Sequence, residues 1–436
     1  MFSTDDTIVA IATPPGRGGI GVVRISGPKA LAIAQRLLTR AEPLEPRHAT
    51  FTKVRLQADT WSTAPAIDHV VATYFPAPHS YTAQDVVELS AHGSPVVLRS
   101  IVEAALAADA RLAEPGEFTL RAFLIGRLDL TQAEAVADLI DAVTPLQARV
   151  AFDQLEGTLT RAIAEIDATL FDLIARLEAS VDFPEEGYHF VEPGDVASAI
   201  GALEERVTAL LSSARRGRLV RDGLQVAIVG RPNVGKSSVF NALVGASRAI
   251  VTDTPGTTRD LVSETVDIDG LRVTLVDTAG LREADDDVER EGVARARQAA
   301  AVADLTLLVV DEDEPMCLCN EKFLVVQNKA DLGREPRGVV VSAMSGEGIE
   351  DLRAAIAAAL DAEPHRDPPA MTNVRHIALV ERAQEALSRA HAACATPEEF
   401  VLADLQDARA AIEEISGRRA TDDLLAHIFS NFCVGK

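Results

Sequence analysis

The sequence predicts a multi-domain protein of α/β and all-α parts, and three observations carry that expectation. Short β-like apolar runs alternate with helical stretches over residues 1–118. Apolar residues then recur three to five positions apart, the period of amphipathic helices, on both sides of a central segment. In that central segment, strand-length apolar runs end in glycine-rich or polar loops, the signature of an α/β unit. A length of 436 residues suggests two to four domains, and 47% apolar content is ample for several cores.

In chain order, Thr7 to Ala12, Ile20 to Ile25 and Val70 to Tyr74 read as strands, with helices near 28–39 and 94–109. From about 130 to 215, the spacing of Leu139, Val143, Leu146, Val150, Leu155, Leu159, Ile163, Ile166, Leu170, Leu173 and Leu177 predicts long helices. Pro184 and the Gly187 region interrupt them, and a further helix runs to about 214. The α/β segment spans 222–361, and a Pro-rich joint at 363–369 returns the chain to helix over 374–430. The expected division is 1–118, 119–221, 222–361 and 370–436, with the third part inserted into one helical domain. Gly16-Arg17-Gly18-Gly19-Ile20-Gly21 matches GxGxxG by letter. It follows two prolines and precedes a β-like run, so it reads as a glycine turn between strands and not as a dinucleotide site.

The net charge of −24 argues against a broad electrostatic grip on nucleic acid, so any RNA contact needs a local basic patch, a partner, or a flipped base. Cys317, Cys319, Cys394 and Cys433 have neither metal-ligand spacing nor the look of a disulfide framework. No signal segment or membrane-length apolar run is visible, and the expectation is a cytoplasmic protein without a membrane anchor.

The central segment carries the chemistry. After the apolar run Leu224 to Val229 comes Gly230-Arg231-Pro232-Asn233-Val234-Gly235-Lys236-Ser237-Ser238, a GxxxxGKS loop followed by a helical pattern. Its backbone N–H groups suit phosphates, Lys236 suits the outer phosphates, and the Ser237 hydroxyl suits Mg²⁺. Asp277-Thr278-Ala279-Gly280 ends a second apolar run and can reach the metal through water. Asn328-Lys329-Ala330-Asp331 ends a third, and the Asp331 carboxylate can accept two hydrogen bonds from a guanine edge that adenine lacks. Ser342-Ala343 completes the base pocket. Together these motifs predict a Ras-like P-loop GTPase domain that binds GTP.

Between the first two motifs lies Thr252-Asp253-Thr254-Pro255-Gly256-Thr257-Thr258-Arg259-Asp260, in which Thr258 is the candidate to sense Mg²⁺ and the γ-phosphate. Leu281 stands where Ras-like proteins place a water-orienting glutamine, so hydrolysis needs another device. Asn233 can give a side-chain oxygen to a monovalent cation, with carbonyls near Thr252, Thr254 and Thr257 completing its shell, and K⁺ there would replace an arginine finger. Glu289, in the acidic run 285–289, can orient water, although such a run also reads as a solvated loop. Arg259 reads as support for the switch loop in preference to an arginine finger in cis.

The GTPase motifs, the inserted layout and several flanking segments resemble the tRNA modification GTPase MnmE (TrmE) family. Those segments are Thr7 to Ala10 leading to Pro14 through Gly19, Val23 to Gly27, Ser80 to Leu89, Pro115 to Phe123, Leu128 to Ala135 and Cys433-Val434-Gly435-Lys436. The resemblance covers essentially the whole chain. It implies an N-terminal α+β folate-binding-like dimerisation domain, a helical domain, and a G domain whose dimerisation activates K⁺-stimulated GTP hydrolysis. It implies a homodimer that joins an MnmG-like flavoprotein in a heterotetramer, with FAD on that partner. The implied reaction is aminomethylation or carboxymethylaminomethylation of the tRNA wobble uridine. By the same resemblance, Arg24, Glu88, Arg127 and Lys436 hold formyl- or methylene-tetrahydrofolate, although position 127 is often lysine in the family. The family pattern assigns Ser237 and Thr258 to Mg²⁺, Asn233, Thr252, Thr254 and Thr257 to K⁺, and Glu289 to water.

A second reading stays open on the G motifs alone: a nucleotide-driven assembly switch whose outer domains only bind partners. A basic RNA-binding domain would favour that switch, and the flanking segments do not supply one.

Overall fold

Contacts within the chain divide it into two compact units, residues 1–137 with 413–436, and residues 138–412. The computed structural model describes residues 4–55, 65–182, 193–231, 233–246, 262–277, 302–311, 322–332, 338–360 and 371–436.

In the first unit, β1 (Ile8–Ile11), β2 (Gly18–Ser26), β3 (Thr50–Arg55), β4 (Ala66–Phe75), β5 (Val86–Gly93) and β6 (Arg111–Leu112) form one sheet in the order β3-β4-β5-β2-β1-β6. All its pairings are antiparallel except that of β1 with β6. Period-two alternation puts Val23, Ile25, Val87 and Leu89 on one face, where they pack with Ile33 and Leu37 of α1 (Ala30–Leu37) and Ile101 of α2 (Pro95–Ala107). Each such side chain, fully buried, contributes roughly 1.5–3 kcal/mol. The opposite alternation carries Arg24 and Glu88, which are direct cross-strand partners.

The glycine run at 16–21 differs from a simple turn. Gly16 lies in the connection with φ +129°, whereas Gly18, Gly19 and Gly21 lie within β2, at a register irregularity against β5. A Cβ at Gly21 would stand 2.4 Å from Leu98 Cδ1, and one at Gly93 would stand 2.6 Å from the Gly18 carbonyl oxygen. Backbone approach between the strands requires glycine at 93, and at 21 the Leu98 side chain fills the space that a Cβ would take.

The C-terminal segment runs beside β1 and the start of α3 (Glu117–Leu124). Phe118 N–H donates to the Lys436 carbonyl at 3.1 Å, and Pro115 bridges Val434. A Cβ at Gly435, where φ is +98°, would meet the Ile11 carbonyl oxygen at 2.4 Å. That position admits only glycine without moving the segment.

The periodic run after residue 130 forms three helices, α4 (Leu130–Asp141), α5 (Pro145–Leu155) and α6 (Thr158–Asp182). Thr144 and Gln147 make a reciprocal capping box with Pro145 in the first turn, which starts α5 afresh. Gly157 at φ +80° separates α5 from α6. Helices α7 (Pro193–Ser212) and α8 (Ala214–Asp222) follow.

Strands β7 (Leu224–Val229), β8 (Val262–Ile268), β9 (Leu271–Asp277), β10 (Leu305–Val310), β11 (Phe323–Gln327) and β12 (Val339–Val340) build a second sheet in the order β12-β11-β10-β7-β9-β8. It is parallel except for the β8–β9 hairpin. Val226, Ile228, Leu275, Leu307 and Val309 share a core with Val239, Phe240 and Leu243 of α9 (Lys236–Ala246) and Leu352 and Ile356 of α10 (Ile349–Ala359).

Helices from before and after this sheet interlock. Gln384 of α11 (Val374–Ala392) donates to Thr208 of α7 at 2.9 Å, and His391 of α11 pairs with Glu204 of α7 at 2.8 Å. Arg409 of α12 (Glu398–Ile415) donates to Asp167 of α6 at 2.9 Å and lies over the Phe171 ring. The α/β part is thus an insertion between helices that pack with one another. Among the described residues, no helix is long and apolar enough to cross a membrane.

Candidate functional site

Strand order in the second sheet reverses at β7, which has β9 on one side and β10 on the other. Open α/β sheets take ligands at the carboxyl ends of the strands beside such a reversal. The loop leaving β7 at this point is Gly230 to Gly235, and α9 begins at Lys236. Its backbone turns through positive φ at Gly230 (+154°), Asn233 (+65°) and Gly235 (+96°). A Cβ at Gly230 would stand 2.3 Å from the Val309 carbonyl oxygen, and one at Gly235 would stand 2.2 Å from Asn328 Nδ2. The loop is therefore folded tightly on β10 and on the segment after β11, with backbone in place of side chains at the cradle. That arrangement fits an anion held by N–H groups at a helix N-terminus.

Lys236 is buried, and its Nζ donates to the Arg231 carbonyl at 2.9 Å across the loop. Burial lowers the pKa of its ammonium, an effect opposed by the Asp277 carboxylate at the end of β9. Asp277 is itself 3% exposed. Ser237 and Ser238, in the first turn of α9, are exposed.

The segments expected to hold the base are tied to the loop by side chains. Asn328 Nδ2 donates to the Val234 carbonyl at 3.0 Å, and Asn328 Oδ1 accepts from Ala343 N–H at 3.2 Å. Lys329 Nζ donates to the Asn233 carbonyl at 3.1 Å and to Asp311 Oδ2 at 2.7 Å. Ser342 Oγ donates to Asp331 Oδ1 at 3.0 Å, which aims the carboxylate. Asn233, Val234, Gly235, Lys236, Asp277, Asn328, Lys329, Asp331, Ser342 and Ala343 thus gather at one end of one sheet. Thr252, Asp253, Thr254, Pro255, Gly256, Thr257, Thr258, Thr278, Ala279, Gly280 and Glu289 lie outside the described residues. Sequence reasoning missed Asp311, which belongs to no motif.

A second cluster lies in the first unit. Arg24 Nε and Nη2 each lie 2.9 Å from Glu88 Oε1, and Nη1 donates to the Gly435 carbonyl at 3.0 Å. The guanidinium sits 4.9 Å from the Tyr81 ring centroid and 5.5 Å from that of Phe118. Burial raises the pKa of the Tyr81 phenol, against a hydrogen bond with Thr119 and the charges of Arg24 and Arg127. Burial lowers that of Lys436, with the Arg24 charge acting in the same direction and the Glu88 carboxylate opposing. Arg24, Glu88, Arg127 and Lys436 therefore share one neighbourhood. Tyr81 and Phe118 are the members that sequence reasoning did not single out, although both lie in segments that carried the resemblance.

The cluster offers a carboxylate, half-buried cations at Arg24 and Lys436, and aromatic faces, a donor and acceptor set suited to a flat heteroaromatic ring with an anionic tail. A third buried network, Arg121 with Asp6, Glu117 and Gln84, fixes the start of β1 against α3. Its role is architectural.

A six-stranded sheet with a phosphate-type loop after the strand at its reversal, closed by an Asn-Lys-x-Asp segment, defines a P-loop GTPase. Residues 7–127 match the model of the GTP-binding protein TrmE N-terminus, and residues 130–433 match the MnmE helical domain. The chain is 46% identical to a tRNA modification GTPase MnmE of Koribacter versatilis over 458 aligned positions, 100% of both chains. It is 43% identical to that of Nitrosomonas europaea, again over 100% of both, and 42% identical to that of Aquifex aeolicus over 99% of this chain and 100% of the relative. The chain belongs to the tRNA modification GTPase MnmE family.

Proposed function

We propose that this GTPase couples GTP hydrolysis to modification of tRNA at C5 of the wobble uridine. In this reading it adds an aminomethyl or carboxymethylaminomethyl group as a cytoplasmic homodimer, in a heterotetramer with an MnmG-like flavoprotein. The division of labour follows 1–118 for folate and dimerisation, 119–221 with 370–436 for the helical domain, and 222–361 for nucleotide. The observation that carries the reading is the convergence of Lys236, Asp277, Asn328 and Asp331 at one sheet end, in a chain that also brings Arg24 and Glu88 together in its other unit.

In the nucleotide site, the backbone of 230–237 and Lys236 bind phosphates, Asp331 and Ala343 read guanine, and Ser237 with Thr258 hold Mg²⁺. Asn233 and carbonyls near Thr252, Thr254 and Thr257 hold K⁺, whose charge offsets that developing on the transferred phosphoryl group. Glu289 orients water in place of the glutamine that Leu281 excludes. In the other unit, Arg24, Glu88, Arg127 and Lys436 hold a formyl- or methylene-tetrahydrofolate that supplies a one-carbon unit. The cross-strand ion pair of Arg24 and Glu88 supports a site of fixed shape there.

The test is steady-state GTP hydrolysis in KCl against NaCl at equal ionic strength, across protein concentrations. Stimulation by K⁺ that rises with protein concentration is the expected result. Turnover indifferent to the cation and to concentration would overturn the K⁺ and dimerisation parts and favour a partner-activated switch.

A further inference from the structure

We propose that Asp311 is a positioning residue for cation-dependent GTP hydrolysis, acting through Lys329 on the backbone of Asn233. The inference rests on the assignment of Asn233 to K⁺ made above, and it adds a residue that no nucleotide-binding motif contains.

The geometry is a chain of two contacts. Lys329 Nζ lies 2.7 Å from Asp311 Oδ2 and donates to the Asn233 carbonyl at 3.1 Å. Lysine is a flexible four-carbon stem that ends in a strongly hydrated point charge. The Lys329 side chain is 36% exposed, so water competes for its ammonium, and the carboxylate of Asp311 is what fixes its direction. Asp311 is well placed for this because the last pair between β10 and β11 is Val310 with Gln327. The residues just beyond that pair leave the sheet side by side.

What Lys329 fixes is a turn of the loop. Asn233 has φ +65°, in the left-handed region, which asparagine enters more readily than most residues with a Cβ. Asn328 grips the next carbonyl, Val234, at 3.0 Å. Two adjacent carbonyls of the phosphate loop are therefore held by two adjacent side chains of the base-binding segment. The Asn233 side chain can offer its oxygen to a cation only in the direction this backbone sets. Asp311 thus links guanine recognition to the cation ligand: freeing Lys329 loosens Asn233 without removing any group that touches nucleotide or cation. Partners of this kind, which orient a ligand without binding the ion, cost on the order of tenfold or more in metal affinity or activity when removed.

The experiment uses the full chain with Asp311→Asn, which keeps side-chain volume and removes the charge, and Asp311→Glu, which keeps the carboxylate. Turnover is measured against KCl concentration at constant ionic strength, and the affinity for a fluorescent GDP analogue is measured in parallel. For Asp311→Asn, the K⁺ concentration at half-maximal stimulation should rise on the order of tenfold, and the advantage of K⁺ over Na⁺ should fall. GDP affinity, which also reports folding, should change by less than about threefold, within the range of an exposed ion pair. Asp311→Glu should recover most of the K⁺ response.

An unchanged K⁺ response in a variant that still binds GDP overturns the proposal. So does a loss confined to GDP affinity, which would make Asp311 a base-site support only. A wild-type enzyme indifferent to K⁺ overturns the cation assignment itself, a failure distinguishable because it is seen before any substitution.

Discussion

Gly217 of α8 lies against Met371 so closely that a Cβ at 217 would stand 1.7 Å from the Met371 carbonyl oxygen. The helix that leads into the inserted sheet and the segment that leaves it therefore meet backbone to backbone. Nearby, Gln154 of α5 donates to Thr372 at 3.1 Å, and Gln147 of α5 donates to the carbonyls of Val220 and Arg221 at 2.9 and 3.1 Å. The two crossings are fastened to one helix.

Gly217→Ala should accordingly destabilise the protein by about 1–3 kcal/mol, since backbone and not a flexible side chain must yield. Urea denaturation monitored by circular dichroism would measure it. A change below about 0.5 kcal/mol, the range of ordinary surface substitutions, would show that the two segments separate freely.

Glu289→Ala should leave GTP affinity nearly intact while lowering turnover by about 10²–10⁴-fold, the range for a lost proton-transfer or water-orienting group. Single-turnover hydrolysis beside nucleotide binding separates the two quantities. Unchanged turnover moves the role to another residue.

Asn233→Ala should abolish the preference for K⁺ over Na⁺ while GTP binding through Lys236 and Asp331 persists. Hydrolysis in matched chloride salts is the readout, and a surviving preference would place the cation elsewhere.

Glu88→Gln removes the charged partner of Arg24 but leaves its contact with Gly435 available. Binding of formyl-tetrahydrofolate should weaken by about 1.5–3 kcal/mol, the cost of a lost hydrogen bond to a charged group. Isothermal titration with the folate measures this. Full affinity in the variant would separate Glu88 from the ligand.

The network around Arg121 should make the first unit sensitive to acid. Burial alone would raise the pKa of Glu117, but hydrogen bonds from Arg111, the Glu114 N–H and Arg121 outweigh it and hold the carboxyl below its ordinary value of 4.5. Asp6 is likewise held below 3.8, since hydrogen bonds from Arg111 and Arg121 overcome its burial. For carboxyls lowered by folding, the stability is fully present above the ordinary values and is lost as pH falls through the folded ones. Unfolding midpoints in urea should therefore fall as pH drops below the ordinary values of 4.5 for Glu117 and 3.8 for Asp6. Glu117→Gln should flatten that dependence, and an unaltered slope would place the acid sensitivity elsewhere.

Much of the candidate nucleotide site was legible because its motifs are short and contiguous in the chain. Gly230 is fixed by positive φ and the close Val309 carbonyl, Gly235 by positive φ and the close Asn328 side chain, and Lys236 opens a helix directly after them. Asp311 was not legible, because its importance depends on the parallel register that brings it beside Lys329, and register leaves no mark at a single position. Tyr81 and Phe118 escaped notice for a related reason: aromatic residues at such spacing read equally well as core. The break at Thr144-Pro145 was available in the sequence as a cap followed by proline, yet the apolar period ran through it. β8 was hidden by its own composition, since Val-Ser-Glu-Thr-Val-Asp-Ile interleaves polar residues through the hairpin's outer strand.

The β8–β9 hairpin has one further property. Its turn is Asp269-Gly270, and Gly270, at φ +88°, is packed so that an added Cβ would lie 3.2 Å from Leu146 Cβ at the start of α5. The chain carrying Thr258 runs into one strand of this hairpin, and Thr278 directly follows the other, which ends at Asp277. On its other side β9 pairs with β7, so the turn that rests on α5 and the strand that leads into the Gly230 loop share one continuous run of sheet hydrogen bonds.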